Sequence, residues 1–368
     1  MNQSTKWIIG VVVIVVVAVV GYFVSKDPGD PVSTELIKIG AILPLTGSGS
    51  YWGEEVQRGM QLALDEINKK SKNLEIIFED TQSQVNVAVS SAQKLINIDR
   101  VNALYGHFSG IALAVSPVAK NANIPFYYSA FTGTPLIDNE LSFKGFINFD
   151  EPCEKYAKYI KEQGIEKLAL INEAGDAYLF CKNGLNKYYS DNNIEIVDSL
   201  TGKDFRTMLL QLKSKSIESV VFVTYEPSSA SIFKQINDLG INFKSMFCEQ
   251  NDCYTSRVKE QAGYVSNLIY FDPVIRPEFI EKVEKKYGPI DEAKLTPIAF
   301  AYEDTLRMYT ASLKCSKLHS SCFTLSLSEG YASEVFEDAP TRERTYYPEL
   351  QYVLVGDSGQ ETVINLDK

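Results

Sequence analysis

Three apolar runs of this chain end in small hydroxyl and glycine residues. They lead into Thr46-Gly47-Ser48-Gly49-Ser50-Tyr51-Trp52, His107-Phe108-Ser109-Gly110, and Ser129 to Thr134 with Thr132 between. Hydroxyls and free N–H groups at a helix start, helped by the helix dipole, hold an anion, and glycine lets a ligand approach the backbone. Ser, Thr and Gly also cap helices and make turns, so one such cluster would mean little. Three on one sheet edge, one carrying the Tyr51-Trp52 pair, point to a binding site. Later strands end differently, in Glu173, Asp176 and Tyr178, then Tyr225 and Glu226, then Glu249, Gln250 and Asp252. Acidic and aromatic groups of this kind accept an ammonium. Two such faces opposed would clamp a small zwitterion. Asp176 and Asp252 read equally well as solvated surface in a chain of net charge −11.

That chemistry is binding, not turnover. No GxSxG elbow, GxGxxG or GxxxxGK[ST] occurs, and any catalytic triad must use one of only two histidines, His107 and His319. With no CxxC and so few histidines, no metal site or cofactor is expected. The acidic balance and the absence of a basic stripe exclude a nucleic-acid partner. The expectation is a protein that is not an enzyme.

Elements of alternating type position these edges. Strand-like 36–45, 74–80, 102–106 and 124–129 are separated by helical stretches, one of which sets Val56, Met60, Ala63, Leu64 and Ile67 on one face. The alternation restarts with strand-like 167–172, 194–199, 219–225, 244–249 and 267–271, then helices near 276–288 and 297–314 and a strand-like tail. Short connections between alternating strands and helices mean mostly parallel, doubly wound sheets, with ligands beyond the carboxyl ends of the strands. A length of 368 residues exceeds what one core usually supports, so two lobes are expected.

The chain is destined for export. Residues 7–24, "WIIGVVVIVVVAVVGYFV", carry no charge, and at about 1.5 Å per residue they just cross a hydrocarbon core of about 30 Å. Lys6 precedes the run, and Lys26 after it is offset by Asp27 and Asp30, which leaves a short cytoplasmic tail at 1–6 and everything after the linker at 25–35 outside. An uncleaved transmembrane anchor is the main reading. A cleaved secretory signal lacks a small-x-small site, and a lipoprotein signal lacks its cysteine, since the first is Cys153. Six cysteines in an exported chain imply disulfides. "CEQNDC" and "CSKLHSSC" are short enough to close Cys248 with Cys253 and Cys315 with Cys322, leaving Cys153 with Cys181 among the 15 possible sets.

The runs "IKIGAILPLTGSGSYWGEEVQRGMQLALDEIN", "FEDTQSQVNVAVSSAQKLI" and "LYGHFSGIALAVSPVAKNANIPFYYSAFTGTP" resemble the type I periplasmic binding proteins, with the leucine, isoleucine and valine receptors of ABC transporters the nearest group. The resemblance runs from about 36 to 310 and is strongest over its first 100 residues. It implies an α/β fold of two Rossmann-like lobes around a ligand cleft, lobe 1 from 36–148 plus 275–327 and lobe 2 from 149–274 plus 328–368. Crossings are then expected near 148–151, 271–275 and 325–335. It also implies that Trp52 covers the ligand, with Ser109 or Gly110, Thr132 and Thr134 holding its carboxylate and amino groups. Tyr178 and Tyr225 face them across the cleft, and Glu249, or Gln250 after a one-residue shift, meets the ammonium. A neutral Gln250 there would favour an amide-like ligand instead. The implied partners are a small amino acid, ABC permease subunits and the membrane. A sensor reporting to a separate signalling subunit is the alternative.

Overall fold

The computed structural model describes residues 36–147, 149–173, 177–198, 204–249, 253–315, 341–342, 345–346, 350–356 and 358–366. The apolar run at 7–24, its linker and the expected crossing at 325–335 lie outside the described residues. Among the described residues no helix is long and apolar enough to cross a membrane.

Two seven-stranded sheets organise the molecule. The first is built from β1 (Ile37–Leu43), β2 (Leu74–Asp80), β3 (Ala103–His107), β4 (Phe126–Ser129) and β5 (Ser142–Lys144). Its helices are α1 (Ser50–Lys70), α2 (Val85–Lys94), α3 (Ser109–Ala122) and the short α4 (Thr134–Asp138). After α5 (Asp150–Glu162) the second sheet follows, with β6 (Leu168–Asn172), β7 (Ile194–Asp198), β8 (Ser219–Val223), β9 (Ser245–Glu249) and β10 (Leu268–Pro273). Between these strands run α6 (Ala177–Leu185), α7 (Phe205–Ser214), α8 (Glu226–Asp238) and α9 (Ser256–Ala262). The chain then forms α10 (Pro277–Tyr287) and α11 (Glu292–Lys314), β11 (Thr341–Arg342), β12 (Thr345–Tyr346), and the pair β13 (Leu350–Val355) and β14 (Glu361–Ile364).

The strand orders match: β2-β1-β3-β4-β5 continues into β12-β11, and β7-β6-β8-β9-β10 into β13-β14. Within each group of five the pairing is parallel, as continuous aliphatic runs such as the wholly buried "LALIN" and "SVVFV" require. The late strands differ. β13 pairs antiparallel with β10 and with β14, closing that edge as a hairpin. β12 pairs with β5 of the first sheet, whereas the expected layout puts everything after 328 with the second. A two-strand ribbon has too little apolar pattern to declare which sheet it will extend.

The order 2-1-3 reverses direction between β1 and β3, and again between β6 and β8. A doubly wound sheet opens its crevice at that switch point. Helix α11 packs along α1, burying Val56, Met60, Ala301 and Met308 in one cluster. A second apolar cluster runs from Leu62 of α1 through Phe131, Phe146 and Phe149 to Cys153, Tyr156, Phe247 and Phe271. The lobes therefore share a ring-rich core at their junction. Two disulfides stiffen the second lobe, Cys153–Cys181 between α5 and α6 and Cys248–Cys253 from the end of β9 to Cys253 beyond it. Cys315 is also disulfide-bonded, while Cys322 lies outside the described residues.

Candidate functional site

The loop after β1 is pinned from below. Thr46 donates through N and Oγ1 to Asp80 at 3.0 and 2.6 Å, and Gly49 N donates to Ser83 Oγ at 2.9 Å. Gly47 takes φ +84°, and a Cβ there would lie 2.7 Å from the Gln82 carbonyl oxygen, so only glycine suits the turn. This turn starts α1 with Trp52 facing the crevice. Trp52 is buried, with its ring 5.8 Å from Phe108 and 6.1 Å from Tyr225 of the other lobe.

The loop after β3 is strained. Phe108 sits at φ +79°, a region costing a non-glycine residue about 1–3 kcal/mol, and there it caps α3. What holds it is ring packing on His107 at 4.5 Å and Tyr225 at 5.4 Å, with its N–H donating to Ser129 O at 3.2 Å. Ser109 opens α3 and its Oγ accepts from Thr132 N at 3.4 Å. Beneath the loop after β4, the wholly buried Lys144 donates to Phe131 O at 3.0 Å. Gly133 gives room to Phe180 of α6, since a Cβ there would meet that ring at 2.8 Å.

Across the crevice Glu173 has a structural task. Its carboxylate accepts from Tyr225 N at 3.1 Å and Ser228 Oγ at 2.8 Å, fixing the start of α8. Tyr225 thereby reaches the first lobe. Glu226, one residue on, is 1% exposed and lies 3.4 Å from Arg257 Nη1, and burial raises its pKa. Opposite stands Tyr51, whose phenol is pushed up by burial and then by the charges of Asp291, Glu226 and Glu55.

These parts enclose a cavity of about 30 Å³. Trp52, Phe108, Phe131, Phe146 and Tyr225 give it ring walls, and His107, Ser109 and Ser129 give it polar atoms. That volume suits a water or two, so a larger solute enters only by parting the lobes. Of the residues expected at the site, Trp52, Ser109, Ser129 and Tyr225 meet at this cavity. Thr132 is buried beside them. Tyr51, Gly110, Tyr178 and the buried Glu249 do not line it. Thr134 faces a second cavity of about 180 Å³ between α3 and α4, with Leu113, Lys120 and Asp138. Gln250, Asp176, Asp252 and His319 lie outside the described residues. Sequence reading missed Phe131 and Phe146. Neither carries a local signal beyond its apolarity.

Burial lowers the pKa of His107 to about 4, weakly opposed by the Ser129 backbone. Between about 6.5, the ordinary value, and 4, the unfolded chain binds a proton that the folded chain refuses. Stability therefore rises with pH across that window, by roughly 3 kcal/mol from this group, and is level below it. Urea unfolding from pH 4 to 7 should show this slope, and His107→Gln should flatten it. Identical slopes in both proteins would refute the assignment.

The chain matches the family model described as periplasmic binding protein over residues 36–314. It is 29% identical over 224 residues to the Leu/Ile/Val-binding protein BraC3 of Rhizobium johnstonii, covering 58% of this chain and 61% of that protein. The chain thus spans about three fifths of the length of that relative. Its fold is shared with the branched-chain amino acid substrate-binding protein LivJ of Streptococcus pneumoniae in complex with isoleucine, at TM-score 0.71 and 19% identity over 90% of this chain and 99% of that one. It is shared equally with a solute-binding protein of R. palustris in complex with 4-hydroxybenzoate, at TM-score 0.75 and 18% identity over 90% and 96%. With the family model covering most of the chain and both switch-point crevices meeting at one ring-walled cavity, this chain belongs to the periplasmic binding protein family.

Proposed function

We propose that the protein is an extracytoplasmic receptor that captures a small amino acid, of the branched-chain type or similar, between two closing lobes and hands it to an ABC permease. The apolar run at 7–24 would tether it to the outer face of a membrane. One observation carries the reading. Tyr51, Trp52, His107, Ser129 and Glu226 hold buried polar atoms that make no well-formed hydrogen bond, and all five are at or beside the cleft. Buried polar atoms are nearly always paired, so a cluster of orphans marks where a solute or water belongs. The first lobe's orphans include the indole N–H and a hydroxyl, next to the N-terminus of α3, and suit a carboxylate. The second lobe supplies carboxylates and the Tyr225 ring, which suit an ammonium. Ser109 and Thr132 remain assigned to the carboxylate end.

A second reading is favoured by the walls themselves, for five of the lining residues are Trp, Phe or Tyr and none is a carboxylate. A small aromatic acid or amide would match that lining. Thermal shift of the full-length protein against the standard amino acids, short amides and 4-hydroxybenzoate separates the two. A ligand at about 100 times its Kd adds about 2.7 kcal/mol of stability. Stabilisation by amino acids alone is expected, and stabilisation by the amides or 4-hydroxybenzoate alone would remove the zwitterion. Ser129→Ala deletes one hydroxyl and should weaken capture about tenfold by calorimetry, the worth of a charge-assisted hydrogen bond. Unchanged affinity would take Ser129 out of the site.

A further inference from the structure

We propose that Glu226, with the hydroxyl of Tyr51, accepts the positively charged nitrogen of the captured solute, a role that the family resemblance places on Glu249 or Gln250. The inference rests on the receptor reading above. Both carboxylate oxygens of Glu226 are buried and without a hydrogen bond, as is the Tyr51 hydroxyl. The two residues come from opposite lobes. Each adjoins a cavity wall, Tyr51 beside Trp52 and Glu226 beside Tyr225, and those two rings stand 6.1 Å apart.

Three other acids nearby are already engaged. Glu173 clamps the start of α8, and Glu55 is held by Arg58 at 3.0 Å and Lys294 at 3.2 Å. Asp291 caps α11 and accepts from Ser256 Oγ. Arg257 offsets the charge of Glu226 at 3.4 Å, but its half-exposed side chain makes no hydrogen bond there and leaves the carboxylate lone pairs unused. An alkylammonium brings three donors on one point charge. Two would satisfy Glu226 and Tyr51, and the neighbouring ring faces of Trp52 and Tyr225 stabilise the cation further. Closure then brings the two halves of the acceptor together, since neither lobe holds both.

Calorimetry on the full-length protein with L-leucine, L-lysine and 4-methylpentanoate, which is leucine without its ammonium, tests this. Glu226→Gln is expected to weaken the amino acid at least about tenfold and the desamino acid less than about threefold, with an unchanged melting temperature in the absence of ligand. A loss confined to lysine would identify the side-chain nitrogen, and a loss shared with leucine the α-nitrogen. Tyr51→Phe removes one oxygen, keeps the fold and should cost the amino acid alone about threefold. Wild-type affinity in Glu226→Gln, with loss in Glu249→Gln instead, would overturn the proposal. So would wild-type protein that binds 4-methylpentanoate as tightly as leucine, although the receptor reading would stand. No binding of any of the three would remove both.

Discussion

Protein in which Cys153 and Cys181 are both alanine is expected to be less stable than wild type by roughly 3–4 kcal/mol. The bond joins α5 to α6 across 28 positions, and both sulfurs are fully buried. Cross-linking a loop of that length removes many conformations from the unfolded chain, which is where most of the effect arises. Cys248–Cys253 spans only 5 positions, so the same argument gives roughly 2 kcal/mol for its loss. Urea denaturation of the two double variants provides an internal check. If the shorter loop proves the costlier to open, chain entropy is the wrong account and native packing decides.

Arg307→Met should be at least as severe. Arg307 Nε donates to Glu303 Oε1 at 2.9 Å along α11, and the two side chains are 1% and 0% exposed. Removing one partner of a buried ion pair costs about 3–5 kcal/mol. Replacing both, as Glu303→Leu with Arg307→Met, should recover most of that, because apolar side chains of similar volume carry no desolvation penalty. A double variant as unstable as the single would mean that the pair does more than neutralise itself. The neighbourhood is densely polar: Asp304 is buried one residue away and accepts from Tyr105 OH at 3.2 Å.

How much of this was readable beforehand depends on whether local pattern or distant packing decides each feature. The central strands of both sheets follow from apolar runs of 4–7 residues, and the crevice follows from where those runs end. Trp52, Ser109, Ser129 and Tyr225 meet because each stands at the carboxyl end of a strand or in the segment that follows it. Thr134 shows the limit. It also follows β4, but a single turn of helix at 134–138 carries it to the outer cavity instead. Phe146 reaches the cleft from beyond β5, and nothing in its neighbours says which distant ring it will touch, here Phe131 at 5.1 Å. Glu173 and Glu226 look alike as acidic residues after strands. Only the fold distinguishes the one that clamps a helix start from the one whose oxygens stay unmatched.

The ring contacts across the crevice have an optical consequence. The chain contains two tryptophans, Trp7 in the apolar N-terminal run and Trp52 between Phe108 and Tyr225. Parting the lobes must separate the Trp52 indole from Tyr225 and admit water to it, which shifts emission to the red and dims energy transfer from the tyrosine. Occupancy can therefore be followed by intrinsic fluorescence with no label attached, and a Trp7→Phe background would make Trp52 the sole reporter.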